Sequence, residues 1–147
     1  GTDVRWAHEE DVCDLLPTSD GFGYSDQANI IFYPPPVHLD KNRVEQQLFH
    51  EMGHAYDFVV MKRNFEASSE GQYSTVEEID AEVRAWIYAE VFHTAFGVKD
   101  WDLMFVKECL ATYLNAYMRD ITKTEEDFLR ECSATTRRYL RRLKNHE

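Results

Sequence analysis

The sequence predicts a mainly α-helical fold of the α+β kind, with a small β-sheet ahead of its first long helix. Three observations carry that prediction. Apolar residues recur at helical spacing from about residue 42 to 61. Three further stretches downstream keep the same period. The run Asn29-Ile30-Ile31-Phe32-Tyr33 is β-branched and aromatic, and Pro34, Pro35 and Pro36 stop it. At 147 residues, without a linker or repeat, the chain reads as a single domain spanning 1–147.

The elements follow in order. Residues 3–16 mix apolar and acidic positions and read as a short helix. Pro17 to Gly23 is a turn cluster. The strand at 29–33 comes next. The first long helix runs from about Asn42 to Met61, with Val44, Leu48, Met52, Ala55 and Val59 as its expected buried face, widened by Phe49, Tyr56 and Val60. A polar loop, Arg63 to Tyr73, precedes a second helix that starts near Thr75. There Thr75 and Glu78 have capping-box spacing. Ile79, Val83, Trp86 and Ile87 form its apolar side, and Gly97 ends it near Phe96. A third helix is expected from about Asp100 to Met118 and a fourth from about Thr124 to Leu143.

Composition narrows the function classes. Hydrophobic residues make up 44% and aromatic residues 14%, enough for a core without disulfide staples. No run approaches the roughly 20 apolar residues of a membrane span, so a soluble chain is expected. The first residues lack the apolar segment of a signal peptide, and Gly1-Thr2 reads as a processed start. A net charge of −11, from 27 acids against 16 bases, disfavours nucleic acid, because a polyanion would be repelled. The segment Arg137, Arg138, Arg141, Arg142, Lys144 is basic by contrast. It reads as the solvated face of a terminal helix, or as a surface for an acidic partner, a membrane complex or lipid headgroups. The three cysteines, Cys13, Cys109 and Cys132, form no C-x-x-C pair and no disulfide framework, although one bridge among them stays open. Cys109, in helical register with Phe105, reads as a small core residue.

The chemistry concentrates in His50-Glu51-Met52-Gly53-His54-Ala55-Tyr56-Asp57. Residues four apart on a helix lie one above the other, so His50 and His54 can reach one Zn²⁺. Glu51 projects beside the metal and can act as general base toward water. On the helical wheel His50, His54 and Asp57 lie away from Leu48, Met52 and Val59, as if lining a cleft. A catalytic zinc site takes a third protein ligand. No histidine stands six residues past His54, where Val60 sits, so an acid on the second helix is expected. Glu82, which flanks the apolar stripe, is first choice; Glu90, within the stripe, is its main rival, and Glu78, one turn before Glu82, is third; all three stay open. Asp57 reads as an orienting acceptor for a ligand histidine or as a surface acid. His8, His38, His93 and His146 lack a partner at metal spacing. Tyr88, His93 and Tyr113 are candidate transition-state donors.

The segment from Gly23-Tyr24 through Asn29-Ile30-Ile31, then H-E-M-G-H-A-Y-D, then Ala81-Glu82-Val83-Arg84-Ala85, resembles the mitochondrial inner-membrane metallopeptidases that process an ATP synthase subunit. The resemblance spans roughly residues 21 to 90, about half the chain. It implies a zincin-like metallopeptidase fold with His50 and His54 as zinc ligands, Glu51 as catalytic acid/base and Glu82 as third ligand. It also implies a protein substrate and a place at the intermembrane-space face of the inner membrane, in maturation or assembly of a membrane complex. The loop between Asp57 and Glu82 is longer than the family's, and the family carries more cysteine near these motifs. A non-catalytic zincin-fold assembly factor and a secreted or host-cytosolic effector peptidase are the alternative readings.

Overall fold

A computed structural model describes residues 3–6, 23–25, 30–33, 41–63 and 75–145. Within them the protein is mainly helical: α1 (Lys41–Val59), α2 (Val76–Ala95), α3 (Leu103–Ile121), α4 (Glu125–Glu131) and α5 (Ala134–Lys144). Three short strands precede the helices: β1 (Asp3–Trp6), β2 (Gly23–Ser25) and β3 (Ile30–Tyr33). The sheet order is β1-β3-β2, with β1 parallel and β2 antiparallel to β3. No described helix is long and apolar enough to cross a membrane.

The chain forms two compact units. One takes Gly1–Arg63 and Ala85–Trp101, the other Asn64–Arg84 and Asp102–Glu147, and α2 runs unbroken through the boundary. The turn at 17–22, the prolines at 34–36, the loop at 64–74, Cys13, His8, His38 and His146 lie outside the described residues.

In the first unit the sheet corrects one expectation. Residues 3–6 are a strand, not the start of a helix, and Asp3 to Trp6 pair in register with Ile30 to Tyr33. A parallel partner so distant in sequence leaves no local period to read. Helix α1 packs on β2 and β3, and Tyr24 meets Phe58 at 6.3 Å between ring centroids.

The buried side of α1 is a second correction. Its buried residues are Gln46, His50, Glu51, Gly53, Ala55 and Asp57. Of the predicted apolar face only Ala55 is fully buried; Val44, Leu48 and Met52 are half-buried, while Val59 and Val60 are 45% and 56% exposed. The helix turns its polar side inward because Gly53 admits another backbone there. A Cβ at Gly53 would stand 2.9 Å from Ala85 C and Cα, and closer still to Ala85 O. Ala85 and Ala89 are fully buried on α2, small enough for two helices to approach closely. Helix α2 is bounded as expected: Thr75 Oγ1 accepts from Glu78 N at 3.1 Å at its start, and Gly97 adopts φ 74° beyond its last residue.

The second unit has its core at Ile79, Tyr117, Phe128 and Cys132. Tyr113, Leu114, Leu129 and Leu140 pack against it. Cys132, rather than the half-buried Cys109, is the core cysteine, and neither forms a disulfide among the described residues. Burial, reinforced by Asp80 nearby, pushes the Cys132 thiol up. Helix α3 begins three residues later than expected from sequence, because Asp102 caps it by accepting from Phe105 N at 3.1 Å.

The expected fourth helix is two helices. Cys132 is extended, and Ser133 restarts the chain as an N-cap, accepting from Thr136 N at 3.1 Å. Asp80 locks this corner: its Oδ1 accepts from Thr136 Oγ1 at 2.5 Å and from Ser133 Oγ at 3.3 Å. Arg137 Nη1 donates to Leu129 O and Cys132 O, satisfying carbonyls that the break leaves over. Helix α4 opens on a full capping box between Thr124 and Asp127. Bonds from the Thr124 backbone and hydroxyl, with Arg130 close by, hold the Asp127 carboxyl below the usual range.

Two outcomes are expected. Gly53→Ala forces its methyl into the Ala85 backbone, which cannot give as a side chain would. Urea unfolding should register a loss of about 3 kcal/mol, the upper end for overpacking; a neutral effect would refute the close approach. Asp127→Asn should destabilise the chain at neutral pH. A depressed carboxyl contributes stability above its unfolded value and loses it as pH falls through its folded value. The gap between wild type and variant in urea midpoint should therefore close in acid. A gap constant with pH would contradict the box.

Candidate metal centre

Helix spacing and the Gly53 contact together set the geometry. His50 and His54 are one turn apart on α1, and their Nε2 atoms stand 3.1 Å from each other. Their rings are 4.5 Å apart between centroids at 74°. The Trp86 indole lies almost parallel on the His50 ring, at 4.0 Å and 22°. Trp86 follows Ala85 directly, so the contact that Gly53 permits also lays this indole on the imidazole. Both Trp86 and His50 are buried, at 1% and 4% exposure. Trp86 in turn meets Trp101 edge-on at 6.0 Å, and Trp101 meets His93 at 5.1 Å.

One turn before Trp86 on the same helix stands Glu82. A carboxylate oxygen of Glu82 and one ring nitrogen from each histidine lie within 4.8 Å of one another. Among the described residues this is the one such group of three metal-ligating side chains. Glu90 and Glu78, the rival acids, do not join it, and the Glu78 backbone belongs to the start of α2.

The donor set fits a divalent ion. Zinc–nitrogen bonds of about 2.0–2.1 Å in a tetrahedral arrangement put two nitrogens about 3.4 Å apart, close to the separation of the two Nε2 atoms. The same separation also suits a hydrogen bond between the two neutral rings, but such a bond calls for no carboxylate beside both. Two imidazoles and one carboxylate leave a position open on a four-coordinate ion, as catalytic sites require.

Glu51 is buried, at 5% exposure, and its Oε1 accepts from Gln47 Nε2 at 3.2 Å. Asp57 is buried as well, not a surface acid. Arg63 approaches its carboxylate to 4.0 Å and donates its backbone N–H to the Asp57 carbonyl at 3.0 Å. The proposed transition-state donors are dispersed. His93 is buried in an aromatic cage with Phe49 and Trp101. Tyr88 packs on Tyr56 at 4.9 Å between ring centroids, and Tyr113 packs against the Ile79 core. Sequence reading missed Trp86, whose place in an apolar stripe disguised it, and Gln47. Only the i, i+4 spacing of Gln47 to Glu51 signals that contact.

No family model, curated protein or solved structure matches the chain. The geometry of the site therefore carries its reading.

The purified chain, loaded with zinc and desalted, should retain one equivalent by elemental analysis. His54→Ala should retain none, and Trp86→Ala should bind with affinity reduced on the order of tenfold, the smaller end of what supporting contacts to ligands contribute. Equal retention by wild type and His54→Ala would rule the centre out.

Proposed function

We propose that this protein is a zinc metalloendopeptidase with a zincin-like fold, akin to the inner-membrane processing peptidases its motifs resemble. The single observation that carries this reading is the convergence of His50, His54 and Glu82 within 4.8 Å, with Glu51 next in sequence to the first of them. His50, His54 and Glu82 would hold the ion. When bound, zinc supplies Lewis acidity toward a carbonyl oxygen and toward water.

The protein's own residues do the rest. Glu51 takes a proton from the attacking water as that water adds to the scissile carbonyl carbon. It then returns the proton to the departing amine nitrogen as the C–N bond breaks. The products are a carboxylic acid and an amine, and Glu51 ends as it began. Gln47 holds the Glu51 carboxylate through Oε1, which limits its rotamers. Trp86 fixes the plane of the His50 ring, so the ligand nitrogen keeps its aim.

The mixed sheet ahead of α1 supports the zincin-like reading. A protein substrate, at the intermembrane-space face of the mitochondrial inner membrane, follows from the motif resemblance. An intact Glu51 favours the enzyme over a purely structural relative, because a scaffold has no need of it.

Glu51→Gln should keep its zinc while its cleavage of reduced, unfolded casein falls by about 10²–10⁴-fold, the range for losing a general base. A chelator should abolish wild-type cleavage and added zinc should restore it. Cleavage by Glu51→Gln at the wild-type rate would remove Glu51 from the role of base.

A further inference from the structure

The basic segment at the end of the chain has no part in the hydrolytic reading. In the second unit it borders a recess of about 630 Å³ between α3, α4 and α5. The recess is floored by Leu110, Leu114, Leu129, Leu140 and Leu143, with Ala111 among them. Lys107, Arg137, Arg141 and Lys144 line it too, against one acid, Glu125. In a chain of net charge −11 this is a local reversal of sign. Arg137 is committed to the carbonyls of Leu129 and Cys132. Arg141 and Lys144 are exposed and have no ion-pair partner among the described residues.

Cations in the last turn of α5 also complement the helix dipole. That accounts for their sign but not for the leucine-lined hollow beside them. We propose that this recess binds a single-chain anionic amphiphile, its alkyl tail on the leucines and its carboxylate on Arg141 and Lys144.

Three features favour this occupant. The recess has the size of a small-molecule site, which runs about 300–1,000 Å³. The apolar floor and cationic border match the two ends of such a molecule. The deepest leucines are also recessed: Leu110 and Leu143 are 1% and 3% exposed, and Leu114, Leu129 and Leu140 are half-buried. A helix that lies in a bilayer presents its apolar side outward. Here the exposed residues of α5 include Arg138, Arg141, Arg142 and Lys144 and no large apolar side chain. The lipid would have to enter the protein; the protein has no surface here with which to enter the lipid. An acidic amphipathic helix would need an extended apolar strip for anchors one turn apart, which a compact recess does not offer.

Isothermal titration tests this with decanoate and decyltrimethylammonium, both below their micellar concentrations, on the full chain with chelator present. Decanoate should bind saturably at one site, and the cation of equal tail length at least about tenfold more weakly. The double variant Arg141→Gln/Lys144→Gln, altered only at exposed positions, should lose about tenfold or more in decanoate affinity while keeping the helical far-ultraviolet signal of the wild type. Ala111→Phe should fill the recess and abolish binding. No saturable decanoate binding, equal affinity for both amphiphiles, or an unaffected double variant would each overturn the proposal. Because the metal is removed throughout, these outcomes stand apart from any result on peptidase activity.

Discussion

The site depends on the absence of one side chain. With hydrogen at Gly53, the backbone of α1 meets that of α2 at Ala85, and everything nearby is placed by that contact. Glycine inside a helix costs about 1 kcal/mol relative to alanine, so the position works against the helix that contains it. The return is proximity. Trp86, one residue on, reaches the His50 ring, and Glu82, one turn back, comes within reach of both imidazoles. A wider helix spacing would leave two histidines with no third donor.

This arrangement explains how much could be read beforehand. That His50, His54 and Glu82 come together, with Glu51 beside the first of them, was legible. It follows from the period of one helix and from an acid at the edge of an apolar stripe. The start and end of α2 were legible for the same reason, because Thr75 and Gly97 act locally. The buried side of α1 was misread. Apolar periodicity assigns the core to Val44, Leu48 and Val59, whereas Gln46, His50, Gly53 and Asp57 occupy it. A polar side turned inward gives no hydrophobic signal; only the glycine hinted at it. Strand β1 was missed because its partner lies far along the chain. The break at Cys132 was missed because part of its support, Asp80, stands on another helix.

The two units use their acids in different ways. Asp80 and Asp127 serve local structure, one as a bracket for the restart of the chain at Ser133 and the other as a cap. In the first unit Glu51 and Asp57 are buried on the histidine helix, where desolvated negative charge accumulates. Buried carboxylates are tolerated when a cation or donors answer them. Gln47 and Arg63 answer Glu51 and Asp57. A dication held by the two imidazoles and Glu82 would set further positive charge against that accumulation.

The face-to-face contact of the Trp86 indole with the His50 imidazole gives the protein an optical gauge of its own. An open-shell ion such as cobalt(II) at that nitrogen would sit within a few ångströms of an excited indole. Excited-state energy would drain into the metal's d-levels, darkening the intrinsic emission. Zinc, with a closed d-shell, has no such acceptor states. Occupancy by an open-shell ion, and not by zinc, would thus be written into the protein's ultraviolet glow, without label or substrate.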